Sequence, residues 1–200
     1  MVALLEENVI ADDVEFEEVS GAGSLVVEGE CDASLYPGAL VFPGRRMEAT
    51  HYDVVLPMGS GIPEGICSAE ELEFLRIKDG IVAVPRDIGS GELPQEGGLE
   101  DVAVSFSKGC FLGQEVMARI KAMGQVQRKI HKVTGIGSVP DFDSPLIIAD
   151  KCAGTLKSVC TAGEGAWCGL ALLHKKFGMN PGDVGWRLPD GRPVEVALHG

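Results

Sequence analysis

Of the six cysteines in this 200-residue chain, one has neighbours that suit thiol chemistry. Cys110 lies in the run Lys108-Gly109-Cys110-Phe111-Leu112-Gly113-Gln114-Glu115. The glycines at 109 and 113 permit a sharp turn and let a ligand approach the backbone closely. Good helix formers follow from Gln114, so Cys110 sits shortly before a predicted helix start. Unpaired amides there, together with Lys108, favour an anion and would enrich the thiolate, which is the nucleophile and metal ligand. The plain structural reading is a cysteine packed in a turn. No Cys or His stands close enough in sequence to complete a dyad, His131 being the nearest histidine, so a cysteine hydrolase is weakly supported.

The charges around this turn are uneven. From Lys108 to Lys132 there are six bases (Lys108, Arg119, Lys121, Arg128, Lys129 and Lys132) against the single acid Glu115. The rest of the chain is acidic, giving a net charge of -13, which argues against general nucleic-acid binding. The island is either a solvated face or a seat for an anionic tail. Glu115 and Arg119 are spaced to pair on one helix face.

The remaining cysteines offer less. Cys152, Cys160 and Cys168 recur every eight residues, too widely for a local metal knuckle, and no pair forms C-x-x-C. They are expected to be small buried hydrophobes on successive strands, with no metal bound. The first residues lack a basic region and a cleavage pattern, and no stretch is long enough to span a bilayer. The chain therefore reads as soluble and cytoplasmic, with no membrane partner.

The elements that position Cys110 follow from local signals. A content of 45% hydrophobic residues with few aromatics predicts an aliphatic core, and 27 glycines with 11 prolines predict many turns. Val14 to Val19 and Leu25 to Val27 look like short strands. Gly38 to Phe42 and Tyr52 to Leu56 look like a hairpin. Ser68-Ala69-Glu70-Glu71 is a capping box that starts a helix, with Leu72, Leu75 and Ile77 as its apolar stripe and Gly80 as its end. Residues 85–101 form a long loop. Val102 to Phe106 reads as a strand, and Gln114 to Met123 as a helix ending at Gly124. Beyond Arg128 come short strands: Ile130–Val133, Leu146–Ile148, Gly154–Cys160, Cys168–Leu173 and Val194–Leu198. Asp190-Gly191 signals a hairpin. The expected organisation is α+β over residues 1–127 and a small antiparallel β-barrel over 128–200.

The run from Lys108 to Glu115 resembles the K-G-C-[YF]-x-G-Q-E signature of the YgfZ-type proteins, relatives of the glycine-cleavage T-protein. Leu75-Arg76-Ile77 with Gly80 is similar to that family's L-R-I-x-x-G helix end. Leu93-Pro94-Gln95-Glu96 with Gly98-Leu99 is similar to its L-P-x-E-x-G-L loop. Glu115-Val116-Met117-Ala118-Arg119, then Gly124-Gln125-Val126 and Arg128, continue the pattern, and Val9 to Val19 resembles an early strand of it. The resemblance implies a T-protein-like folate-binding fold, N-terminally incomplete here, followed by the barrel. It implies tetrahydrofolate or a folate derivative as cofactor. Cys110 is then the candidate catalytic residue, and Lys108, Gly109, Gln114, Glu115, Arg119, Arg76 and Lys78 are the candidate folate contacts. It further implies support of iron–sulfur enzymes, one of them in tRNA modification, with such a client enzyme as partner. A tetrahydrofolate-dependent aminomethyltransferase is the rival reading. Two positions depart from the family: Lys78 stands where many relatives have a pterin-contacting glutamate, and Leu72 where some have a tryptophan. These departures favour a third reading, an interaction module without folate.

Overall fold

The computed structural model describes residues 23–61, 67–111, 113–124, 126–177 and 185–197. The expected strand Val14 to Val19, together with Leu112, Gln125 and Leu198, lies outside them. The chain divides into two compact units, Met1–Ile66 and Cys67–Gly200.

In the first unit, β1 (Gly23–Glu28), β2 (Leu40–Pro43) and β3 (His51–Leu56) form an antiparallel sheet in the order β1-β3-β2. The pairing Leu25↔Val54 puts two apolar residues side by side, and Leu56 joins them in a small core. The hairpin expected from the two apolar runs is present. Its connection is pinned by His51, whose ring nitrogens lie 2.8 Å from the Arg46 amide and 2.8 Å from the Ala49 carbonyl. Gly44 must be glycine here, because a Cβ would fall 2.2 Å from the His51 ring.

The second unit opens with α1 (Ala69–Asp79). Ser68 Oγ accepts from the Glu71 amide at 3.1 Å, and the Glu71 carboxylate accepts from the Ser68 amide at 2.6 Å. These reciprocal bonds satisfy helix-end donors that would otherwise lack partners. Gly80 ends the helix at φ +80°, a left-handed conformation that suits a residue without Cβ. A second helix, α2 (Gln114–Met123), begins and ends where the sequence places it.

The rest is mostly strand: β4 (Arg128–Ile136), β5 (Pro145–Ile148), β6 (Lys151–Gly163), β7 (Ala166–His174) and β8 (Val194–Ala197). They form a curled antiparallel sheet, a half-barrel, in the order β5-β6-β7-β4-β8. Arg187 bridges Ile147 on one edge strand and Pro193, which leads into the other. Asp190 and Gly191 form the expected turn, with the Leu188 amide donating to the Arg192 carbonyl at 2.9 Å. Inside the curl lies a mostly aliphatic core that includes Leu146, Leu156, Leu173 and Leu188 together with Trp167.

Two expectations are corrected. Val102 to Phe106 is not a strand. The amides of Val102 and Ala103 both turn back to the Leu99 carbonyl, so the segment is a turn and Val102 stays exposed. An alternating pattern makes a strand only when a neighbouring strand accepts its backbone bonds. The three regularly spaced cysteines are not buried on successive strands either. Cys152 and Cys160 share β6, Cys152 is exposed, and Cys160 and Cys168 are half-buried. The last two face each other across β6 and β7, with sulfurs 3.3 Å apart.

α1 is tied to the sheet by charge. Arg76 is 8% exposed and donates to Asp87 at 2.8 Å and to both carboxylate oxygens of Glu73, at 2.6 and 2.9 Å. It also donates to the Ile81 carbonyl and to Ser158 Oγ. A bulge in β6 between Leu156 and Val159 frees the Ser158 amide from the ladder, and it donates to Asp87 at 2.9 Å. Glu73 is held below the ordinary carboxylate value of 4.5, first by its hydrogen bond with Arg76, while burial works the other way. A pKa lower in the folded chain gives stability that is complete above the unfolded value and lost as pH falls through the folded value. Glu73→Gln should therefore reduce the loss of stability below about pH 4.5. Urea melts across this range check it; an unchanged acid limb would mean the pair adds nothing.

Candidate functional site

Cys110 lies in the loop that leads into α2, and its thiol is exposed. Gly113 caps the helix at φ +84°, where its left-handed backbone turns the chain into the first turn. The Gln114 amide donates to the Phe111 carbonyl at 3.2 Å, so part of this helix end is already satisfied. The Lys108 ammonium sits over the Phe111 ring, 5.1 Å from its centre. His131 is buried on β4.

Cys160 differs. Burial first, then its hydrogen bond with Cys168, pushes its thiol up to about 12. At pH 7 such a thiol is thiolate in roughly one molecule in 10⁵. Limiting alkylation followed by mass mapping should therefore modify Cys110 well before Cys160. Equal or faster labelling of Cys160 would reject the expected reactivity.

The candidate ligand residues do not form one group. Glu115 and Arg119 pair at 3.3 Å on the exposed face of α2, an arrangement worth well under about 1 kcal/mol. Lys78 is exposed on the last turn of α1, and Leu72 is half-buried on the first. The Arg76 guanidinium is occupied by Glu73, Asp87, Ser158 and the Ile81 carbonyl. The basic island is also divided. Arg128 makes a two-pronged bond with Glu96, at 2.8 and 3.0 Å. The stem of Lys132 lies over Gly80.

Lys121 and Lys129 go elsewhere. Both line a cleft of about 450 Å³ beside the C-terminal end of α2 and the start of β4. Lys175, immediately after β7, is the third lysine there. Lys121 also lies over the Phe106 ring at 4.2 Å. Gln95 and Glu100, from the long loop, supply the cleft's polar wall, and Ile120 and Val126 supply apolar surface. Gln95 is 6% exposed; its amide nitrogen donates to the Met117 carbonyl at 3.4 Å, and its side-chain oxygen has no partner among the described residues. One buried oxygen of Glu100 is likewise without a partner among them. Sequence reasoning singled out the loop for its length but did not name Gln95, Glu100 or Lys175 as site residues. Their only local sign was the position of the first two in that Pro- and Gly-rich segment.

Among the described residues, no set of three His, Cys, Asp or Glu side chains converges as a metal site. No helix among them is long and apolar enough to cross a membrane.

Comparison with known proteins gives partial similarities. No protein-family model matches the chain. It is 34% identical over 125 residues to the human iron-sulfur cluster assembly factor IBA57, mitochondrial, covering 61% of this chain and 34% of that protein. Against the same factor from Mus musculus it is 28% identical over 139 residues, 70% of this chain and 30% of the relative. Against the tRNA-modifying protein YgfZ of Sodalis glossinidius it is 29% identical over 106 residues, 50% of this chain and 32% of the relative. The chain thus spans about a third of the length of the curated relatives it matches, and over that third it is similar to two iron–sulfur cluster assembly factors and a tRNA-modifying protein.

Proposed function

We propose that this chain belongs to a YgfZ-type, T-protein-like folate-binding protein that supports iron–sulfur enzymes, including one that modifies tRNA. In this reading residues 1–127 belong to the folate-binding fold and 128–200 to the barrel. The observation that carries it is the similarity to named iron–sulfur assembly factors in a chain that also holds the Lys108–Glu115 signature on an exposed turn. Cys110 is the reactive group of that turn, and tetrahydrofolate or a derivative is the ligand. Lys121 and Lys129 meet its glutamate tail, because a carboxylate chain gains most where cationic side chains share one cleft.

Calorimetric titration with tetrahydrofolate tests the binding half. A polyglutamylated ligand should bind more tightly than the monoglutamate, and its advantage should shrink as salt rises, since such charges are screened over about 8–10 Å at physiological ionic strength. Cells lacking a YgfZ-type protein test the other half. The activity of an iron–sulfur enzyme should return with this protein and not with its Cys110→Ala variant.

One observation favours a second reading. Lys78 is exposed at the end of α1, and a lysine does not reproduce the acceptor that many relatives present to a pterin there. An interaction module that has lost folate would then remain. Absence of any tetrahydrofolate heat, with enzyme activity still restored, would select it.

A further inference from the structure

The half-barrel carries a pair of thiols that neither its core nor the Cys110 turn explains. Cys160 on β6 and Cys168 on β7 are direct partners in the antiparallel ladder, and both are free. Partners of this kind stand about 4.5–5.5 Å apart at Cα, inside the roughly 4.4–6.8 Å that a disulfide spans. The two positions are thus within bridging reach without a shift of the strands. Their sulfurs already share a hydrogen bond. Both side chains are half-buried, which admits a small reagent and leaves little room for a large one. Trp167 belongs to the core, so alternation along the strand places Cys168 on the outer face of the sheet. The clamp on α1 is close by. α1 packs on β6 and β7, and Ser158, two residues before Cys160, meets Arg76. The charges of Glu73 and Arg76 both act on the Cys160 thiol.

We propose that Cys160 and Cys168 are an oxidation site: a small disulfide of the glutathione class converts them reversibly into a cross-strand disulfide that staples β6 to β7 beside the seat of α1. One protein thiolate attacks a sulfur of the small disulfide; a bond from protein to small sulfur forms, the small S–S bond breaks, and one small thiolate leaves. The second protein thiol gives its proton to solvent and attacks the protein sulfur of this mixed disulfide. The cross-strand S–S bond forms and the second small thiolate leaves. Two protein thiols are oxidised, and one small disulfide is reduced to two thiols, which take up the two protons lost. Excess small thiol runs the sequence backwards. Cys160 makes the exchange slow at neutral pH, because burial first, and then its bond with Cys168, push its thiol up to about 12. Such a thiol seldom attacks a passing electrophile, but contact with its partner offsets the scarcity of thiolate. The inference does not depend on folate, on Cys110 or on an iron–sulfur client.

The test incubates the intact chain in glutathione redox buffers, quenches with acid and maps the unreduced digest by mass spectrometry. No Lys or Arg separates the two cysteines, so trypsin leaves both on one peptide. That peptide should become lighter by two hydrogens as oxidised glutathione comes to dominate, and regain them when reduced glutathione is restored. Further cleavage after Glu164 should leave two fragments held together. The oxidised chain should melt on the order of 5 °C higher, since a cross-link restricts the unfolded chain. Cys160→Ala and Cys168→Ala should each abolish the closed peptide and the shift. Cys152→Ala, on the same strand as Cys160, should leave both as they are. Melts of the reduced variants check that the fold persists. Thiols that stay reduced in every buffer, glutathione adducts at either cysteine without closure, or a link from either one to a different cysteine overturns the inference. A closed pair that excess reduced glutathione fails to reopen also overturns it, because the bond would then be a fixed structural one.

Discussion

Asp87→Ala is expected to lower the stability of the second unit by about 3–5 kcal/mol, the cost typical of removing one partner from a buried ionic cluster. Asp87 is 0% exposed and accepts four bonds on its two oxygens. Oδ2 takes Arg76 Nη1 at 2.8 Å and the Ala83 amide at 2.7 Å; Oδ1 takes the Ser158 amide at 2.9 Å and Ser158 Oγ at 2.6 Å. Truncation takes the acceptor from all four donors and leaves the buried Ser158 amide and hydroxyl without it. Asp87→Asn should cost nearly as much, because every neighbour of the carboxylate is a donor and an amide would point its own N–H groups at some of them. For a chain of this size the shift in thermal midpoint is on the order of 10 °C. Replacing both charges, Arg76→Met with Asp87→Leu, should recover part of the loss, since an apolar pair carries no desolvation penalty. Arg86 still pairs with Glu73 in that variant. Thermal and urea melts of the three variants check the claim; a loss under about 1 kcal/mol for Asp87→Ala would show that water replaces the carboxylate freely.

The second large effect lies in the core of the half-barrel. Trp167 is 0% exposed and pairs with Gly135 on the neighbouring strand. A Cβ on Gly135 would sit 2.4 Å from the indole ring, so the glycine is there to make room for the tryptophan. Trp167→Ala should cost about 3–5 kcal/mol through lost burial and the cavity left behind. Gly135→Ala should cost about 1–3 kcal/mol by overpacking against a fully buried ring. The double variant should lose less than the two costs added, because the new methyl group enters the vacated space. Denaturant melts of the four forms measure this coupling. Strict additivity would mean that the strands shift apart and that the close approach has no energetic consequence.

Parts of this architecture were legible in local sequence because their causes are local. The Ser68 and Glu71 side chains reach each other within a single helical turn, and Gly80 and Gly124 end helices by adopting a backbone conformation that costs glycine little. Asp190-Gly191 makes its turn from its own two residues and their neighbours. The same holds for the strands of the half-barrel, whose apolar runs fall where β4 to β8 are found. Val102 to Phe106 has a comparable pattern but lacks a partner strand, and pairing is not written into a single segment.

The sequence by itself determined where helices begin and end, which strands the core requires, and that a cysteine sits on a glycine-flanked turn ahead of a helix. Tertiary structure decided what the charged residues do. Arg76 looked like a ligand contact, yet its guanidinium meets Ser158, 82 residues away, on a strand whose bulge brings that serine to it. Arg128 looked like part of a basic face, yet it is bound to Glu96, 32 residues away. Lys121 and Lys129 were left to line a cleft whose other groups come from a loop before α2 and a turn after β7. The physical reason is that capping, turn and periodicity act over a few residues of backbone. A charge finds its partner across the fold, according to which surfaces are buried together and which donors that burial leaves unmet.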